Sequence, residues 1–226
     1  MFDTVAPRYD FITRAFSYGM DKRWKRVGVE RAELPANPRV LDLASGTGDF
    51  SSLVRESHPE AQIVAVDLTY RMLELARERG VESAVCADAC LLPFGDGLFD
   101  AVFIGYGLRN FSHLDAALSE VARVTRPGGL LVSLDFYLPA NPVLRRLYLG
   151  YLYAQGAFWG FVLHGRPRVY TYIPDSLRSF VSIQGLSFRL RVLGYQELGV
   201  RSFLLGGIGL HWAAKGRANA QTGKAP

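Results

Sequence analysis

Cysteine is nearly absent: Cys86 and Cys90 are the only two in 226 residues, four apart with no second pair. That count excludes a secreted disulfide scaffold and a zinc site, which need more bridges or more ligands. The two read as buried or half-buried free thiols of a reducing compartment. No His-Cys-Asp cluster has metal-ligand spacing, so no metal is expected. The opening MFDTVAPRYDF has no charged stretch followed by an apolar one, so a signal peptide is not expected. The longest uncharged run, Leu147 to His164, is marginal in length for a membrane span and is interrupted by three glycines and a glutamine. Dense charge of one sign is also missing. The net charge is only +5, and no basic run exceeds KRWKR at Lys22 to Arg26. Nucleic acid is therefore not an expected partner, and that cluster reads as the solvated face of a helix or a contact with an anionic membrane.

What remains is ordinary for a globular chain, with 49% hydrophobic and 21% charged residues in a length that suits one domain. The reading is one domain over 1–215. It has an N-terminal helical segment at 1–38, an alternating core at 39–135 and a helical region at 142–185. The tail 216–226 has too little apolar content to order itself.

Between Arg39 and Asp135 short β-branched runs alternate with amphipathic stretches. Strands are expected at 40–44, 62–67, 82–88, 99–106 and 130–136. One helix is expected from Asp49 to His58-Pro59. A second covers Tyr70 to Arg79, with Met72, Leu73, Leu75 and Ala76 on one face and Gly80 as its cap. A third follows Ser112, whose spacing to Asp115 matches a capping box, and ends at Pro127-Gly128-Gly129. Strands apolar on both faces with single helices between them predict a parallel sheet covered on both sides, an α/β Rossmann-like fold. Beyond it, 142–164 reads as helix and Pro174 to Gly185 as helix again, continuing as a short helix to Leu193. YQELGVRSFLL and GIGLHWAAK then close the sheet as a strand pair.

The informative stretch is RVLDLASGTGDF, Arg39 to Phe50. A dinucleotide site wants G-x-G-x-x-G after the first strand and an acid about twenty residues on for the ribose. Gly46 and Gly48 fit the first two positions, Ser51 occupies the third, and Asp67 lies at about the right distance. Asp42 argues against a phosphate, because a carboxylate near a pyrophosphate raises its energy and one near an ammonium lowers it. S-adenosylmethionine carries an ammonium and a sulfonium and no phosphate. It accounts for three strand-end acids together: Asp42, Asp67 for the ribose hydroxyls, and Asp88 for the adenine amino group. A nicotinamide cofactor accounts for one.

RYD…WKR near the N-terminus, VLDLASGTGDF, VAVDLTYRML, ADACLLPFGDGLFDAV, GYGLRNF, ALSEVARVTRPGGLL and YTYIPDSLRSF together resemble the ubiquinone/menaquinone biosynthesis C-methyltransferase (UbiE) family over nearly the whole chain. The resemblance implies a class I methyltransferase with a mostly parallel seven-stranded sheet, helices on both faces and an antiparallel last strand. It implies S-adenosylmethionine-dependent C-methylation of a polyprenylated quinol, typically demethylmenaquinol to menaquinol. Family donor contacts fall on Thr47, Asp67, the pair Asp88-Ala89, and Gly105, which is often serine in relatives. Ala44, Gly46, Gly48, Leu68 and Met72 complete the expected donor set with Asp42. Thr13 and Arg14 depart from an Asn-Asp-like pair, and 154–168 is unusually aromatic.

A ring carbon attacks a sulfonium well once the neighbouring quinol hydroxyl has lost its proton. Arg109 and Asn110, just after the fourth strand, are the catalytic candidates; arginine cannot act as a base but can stabilise a phenolate. Tyr9, Asp10, Tyr106, Tyr170 and Tyr172 are candidates to line the acceptor pocket, with the last two sharing a side if that piece is extended. His113, in the first turn of a helix, reads as a surface residue, and His211 as a packed core histidine. YLGYLYAQGAFWGF reads as an aromatic lid for an apolar quinol or as a buried helix. The chain reads as a cytosolic enzyme with peripheral contact at the inner face of the cell membrane, with a homodimer left open. Rival readings are a methyltransferase for another lipophilic small molecule, a nicotinamide oxidoreductase, and a non-catalytic binding subunit.

Overall fold

The computed structural model describes residues 6–217. The expected tail lies outside the described residues from 218 onward, as do the first five residues of the N-terminal segment. Seven strands form one sheet in the order β3-β2-β1-β4-β5-β7-β6. β1 (Arg39–Leu43), β2 (Gln62–Asp67), β3 (Ser83–Cys86), β4 (Phe99–Gly105) and β5 (Thr125–Phe136) are joined in parallel. β7 (Ile208–Lys215) inserts antiparallel between β5 and β6 (Tyr195–Phe203). This is the sheet expected above, with its one reversed strand in place.

Successive side chains of a strand point to opposite faces, so a strand buried on both faces must be apolar throughout. On β4, Ala101 and Phe103 enter one core while Val102 and Ile104 enter the other. The first core is covered by α1 (Tyr9–Phe16), α2 (Asp21–Arg31), α3 (Asp49–Ser57), the long α6 (Pro142–His164) and α7 (Tyr172–Ser179). The second is covered by α5 (Leu114–Val124) and α8 (Ile183–Val192). α4 (Tyr70–Glu78) sits on a smaller cluster of Ala65, Leu73, Ala76 and Val81.

Several local expectations need correction. No side chain caps α5: its N-cap is the exposed His113, and Asp115 pairs instead with Arg189 at 2.8 Å. α5 stops at Val124, before Pro127, because Thr125 already turns into β5 and its Oγ1 bonds back to the Val121 carbonyl at 2.6 Å. The helix expected over 174–185 is two helices. Phe180 is extended, and the Ser182 hydroxyl accepts from the Gly185 amide at 3.0 Å to start α8 afresh, as a serine N-cap does. β3 ends at Cys86, so Asp88 stands two residues beyond it. β6 ends at Phe203 and gives way to a 3-10 turn at Leu204–Gly206.

Part of the inner face of α6 is glycine, which lets a turn pack close against the helix. A Cβ on Gly160 would lie 2.7 Å from the Arg166 carbonyl oxygen and 2.8 Å from that of Pro167, with no flexible atom to give way. Gly160→Ala should therefore lower unfolding free energy by about 1–3 kcal/mol, as overpacking does. Urea denaturation checks this, and an unchanged midpoint would show that α6 does not press on that turn.

Candidate active site

β1 and β4 are neighbours in the sheet, yet β1 leads on to β2 and β4 to β5 on the opposite side. A crevice opens beyond strand ends at such a switch point. Both strands leave the sheet through a left-handed residue that is not glycine, Ala44 at φ 51° and Tyr106 at φ 59°. Such residues hold strain of about 1–3 kcal/mol each and persist only where the surroundings enforce them. Gly107 lets the two turns meet: a Cβ there would lie 2.6 Å from the Ala44 Cβ.

The cleft between these turns encloses about 750 Å³ of empty space, including its open mouth. Seven expected donor residues line it: Ala44, Gly46, Asp67, Leu68, Met72, Asp88 and Ala89. Tyr9, Tyr106 and Asn110 join them. The Asp67 carboxylate accepts from the Gly46 amide at 2.9 Å and the Thr69 amide at 2.8 Å, which orients it and leaves lone pairs on both oxygens. Burial raises its carboxyl above the ordinary range, against those amides. Asp88 is exposed and accepts from the Cys90 amide at 2.9 Å. Leu43, Val66, Thr69, Ala87, Gly107, Phe111 and Ser112 complete the wall; none of them was an expected site residue, and Ser112 was expected only as a helix cap. Phe111 directly follows the GLRN signature and Thr69 lies two residues past Asp67, so both signals were close at hand.

Asp42 does not line this cleft but borders a smaller cavity behind it. It is 1% exposed, and its Oδ2 accepts from both the amide and the hydroxyl of Ser51, at 2.9 and 2.7 Å. The carboxylate thereby fastens the first turn of α3 to β1. It borders a small inner cavity with Thr47, Gly105, Tyr9, Lys25, Ser45 and Asp49. Gly48 lines neither space: at φ 83° it ends the turn and opens α3. Phe50 explains why Gly105 can lack a side chain, because its ring would meet a Cβ there at 3.0 Å.

Lys25 is a further site residue that the sequence did not mark. Assigned with its basic neighbours to a solvated face, it is 4% exposed and ion-pairs with Asp49 inside this cavity. Its ammonium stands 5.4 Å from the centre of the Tyr106 ring. The signal was periodicity: Asp21, Trp24, Lys25, Gly28 and Val29 form one buried stripe of α2. Burial works against the Asp49 carboxylate, but Lys25 outweighs it and holds that group below its usual range. The buried Ser45 Oγ has no hydrogen-bond partner among the described residues. An ammonium, two carboxylates and an orphaned hydroxyl behind a nucleoside-sized cleft suit the zwitterionic end of S-adenosylmethionine. The residues present fit that ligand.

α1 lies over the glycine turn. Its Asp10 accepts from the Thr47 hydroxyl at 2.7 Å and pairs with Arg79, while the Tyr9 ring covers Gly46. In the same helix Thr13 is buried and Arg14 exposed.

Arg109 sits outside the donor cleft, in the 3-10 turn Leu108–Asn110. Its guanidinium donates to the Asp135 carboxylate at 2.6 Å and to the Tyr106 carbonyl at 2.7 Å. The two side chains are 4% and 0% exposed. Burial opposes the guanidinium charge, but Asp135 more than restores it, so Arg109 stays charged. Tyr172 hydrogen-bonds Arg109. Burial raises the Tyr9, Tyr106 and Tyr172 hydroxyls above their ordinary range, so near neutral pH all three keep their protons. Tyr170 faces elsewhere. The piece is a 3-10 turn, Pro167–Tyr170, and not extended; the Tyr170 hydroxyl bonds His164 at 2.9 Å in the core. His211 is likewise a core residue, 1% exposed, with its Nε2 3.1 Å from the Ile183 carbonyl.

Burial pushes the Asp42 carboxyl from 3.8 up to about 7, against the Ser51 hydrogen bonds. A folded-state pKa raised in this way contributes stability that is full at low pH and is lost as pH rises through about 7. Asp42→Asn keeps an acceptor for Ser51 and removes that titration. Its melting temperature should exceed wild type at about pH 8 and converge with it near pH 4, because each tenfold change in a carboxyl's acidity on folding is worth ~1.4 kcal/mol. Thermal unfolding at both pH values checks this; a pH-independent difference would contradict the burial of a titrating Asp42.

The family model described as the ubiE/COQ5 methyltransferase family matches residues 1–215. A protein of Desulfotalea psychrophila named ubiquinone/menaquinone biosynthesis C-methyltransferase UbiE is 39% identical over 225 residues, covering 95% of this chain and 89% of that protein. A demethylmenaquinone methyltransferase of Thermus thermophilus is 40% identical over 200 residues, covering 86% of this chain and 91% of that one. Among solved structures, a SAM dependent methyltransferase from Aquifex aeolicus superposes with a TM-score of 0.62 at 17% identity, over 91% of this chain and 97% of that one. That likeness concerns the fold alone. Matched across its donor turn, its GLRNF loop and the whole sheet, the chain belongs to the ubiE/COQ5 methyltransferase family.

Proposed function

We propose that this chain transfers a methyl group from S-adenosylmethionine to a ring carbon of a polyprenylated quinol in menaquinone or ubiquinone biosynthesis, with demethylmenaquinol as acceptor and menaquinol as product. One observation carries the donor: among the described residues, the cleft at the switch point is lined by two carboxylates, Asp67 and Asp88, and by no lysine or arginine. A pyrophosphate would meet only negative charge there, whereas a cationic nucleoside is favoured. The acceptor comes from the family and from the relatives' names.

When bound, S-adenosylmethionine supplies a methyl group on a positively charged sulfur. The protein's own part is to orient the acceptor, exclude water and stabilise its oxygen as an anion. Arg109 is the charged group placed for that. One edge of its guanidinium is occupied by Asp135 and the Tyr106 carbonyl, while its buried Nε has no hydrogen-bond partner among the described residues. That donor is left for a phenolate oxygen. Tyr106 offers a second buried hydroxyl without a partner among those residues, and Asn110 stands in the cleft wall. Tyr9, Asp10 and Tyr172 border the acceptor. The protonated tyrosines donate to the oxygen and do not act as bases, so water carries the proton away. A polyprenyl tail keeps the acceptor in a bilayer, and the chain meets it there peripherally. No helix among the described residues is long and apolar enough to cross a membrane.

The direct test supplies methyl-labelled donor and a short-tailed demethylnaphthoquinol. Label should appear on the ring carbon; label on an ether oxygen, or none, rejects the reading. Arg109→Ala should reduce turnover roughly a hundredfold with donor affinity nearly unchanged. Because this leaves a buried carboxylate unpaired, Arg109→Ala/Asp135→Asn is measured beside it. Near wild-type turnover in either would remove Arg109 from the mechanism.

A further inference from the structure

α6 has an outer face that nothing among the described residues covers. Its inner face is closed by buried Leu152 and by the glycines that press on the 3-10 turn 167–170. On the outer side Val143, Leu147, Phe158 and Phe161 are between 58% and 68% exposed. Gly150 and Ala154 fill the places between them, so steps of three and four residues make one stripe along a helix of 23 residues. At ~1.5 Å per residue it is about 34 Å long. Phe11 of α1, 47% exposed, stands beside this helix through an edge contact with Trp159 at 4.9 Å. Leu205 extends it at the other end. It stands 79% exposed on a turn tied to α6 by the Tyr148 hydroxyl, which donates to the Gly207 carbonyl at 3.1 Å. Leu204 and Leu205 are both left-handed, at φ 49° and 55°, a conformation bulky side chains seldom adopt.

The charges around this stripe have one sign. α6 contains no acidic residue. Arg145 and Arg146 lie near its start, Arg166 and Arg168 just past its end, and Arg8 and Arg14 flank Phe11; all six are exposed. The carboxylates attached to this region are engaged, Asp10 by Arg79 and Asp175 by the Tyr153 hydroxyl.

We propose that the outer face of α6, with Phe11 and Leu205, seats in the surface of an anionic bilayer. This rests on the reading of a membrane-held quinol and names the surface that meets the membrane. An apolar stripe with an arginine fringe suits the acyl boundary below and the phosphates beside it. Arginine stems lie along apolar surface while their heads reach phosphate. A second copy of the chain suits the face poorly, because a two-fold interface would set the arginine fringe against itself. The location also serves the chemistry. The turn under α6 runs directly into Tyr172, which bonds Arg109, so one short segment joins this surface to the site.

The test is flotation of the full chain with vesicles of phosphatidylcholine alone and with roughly one-third phosphatidylglycerol, without quinone. Wild type should partition about tenfold more to the anionic vesicles, and raised salt should remove most of that gain. Phe158→Ser/Phe161→Ser and Arg145→Glu/Arg146→Glu should each lose about tenfold in partitioning. Both should keep wild-type turnover of the short-tailed soluble quinol while losing turnover of a long-tailed quinol in vesicles. Wild type remaining in the aqueous fraction with either vesicle overturns the proposal. So does partitioning unchanged in both variants, or conversion of a wild-type dimer to monomer in Phe158→Ser/Phe161→Ser with vesicle binding intact. Soluble-quinol turnover by wild type reports separately on the methyl-transfer reading, so the two can fail independently.

Discussion

Two turns that touch govern this molecule. β1 and β4 end side by side, and each turns off the sheet through a strained residue, Ala44 and Tyr106, with Gly107 admitting the Ala44 Cβ. The cleft lies at that switch point, with Asp67 and Asn110 both in its wall. Strain at both ends is tolerable because the sheet is buried on both faces and the Tyr106 amide still donates to the Leu134 carbonyl at 2.7 Å. Function here is laid over a fold shared with distant methyltransferases, so the site, and not the sheet, carries the specific reading.

The charges are arranged in depth. Exposed Asp88 and half-buried Asp67 stand where a nucleoside would lie, and the buried ion pair of Lys25 with Asp49 stands behind the turn. Farther along, Arg109 and Asp135 form a second buried pair. Such pairs stabilise little by themselves, since desolvation offsets most of the attraction; what they do is keep a charge in a place water cannot screen. Arg109 ties down the loop after β4 and keeps a buried Nε without a hydrogen-bond partner among the described residues.

α6 joins the two ends of the problem. One of its faces gives up side chains so that a turn can press against it, and the other keeps side chains that no described residue covers.

The sheet, the order of strands and helices along the chain, and the glycine turn were legible from the sequence, because burial on both faces forces unbroken apolar runs and because glycine and acid spacing is local chemistry. The GLRNF block and the glycine turn marked most of the cleft for the same reason. Which charges would be buried was not legible. Asp42 turned inward to Ser51, and Lys25 left its basic neighbours to enter the core, because α3 and α2 pack there on the sheet, a contact between distant segments. Tyr170 was lost to the core and Tyr172 reached Arg109 because their segment is a turn closed under α6. Periodicity along one element assigns residues to a face. Only packing against other elements decides what that face meets.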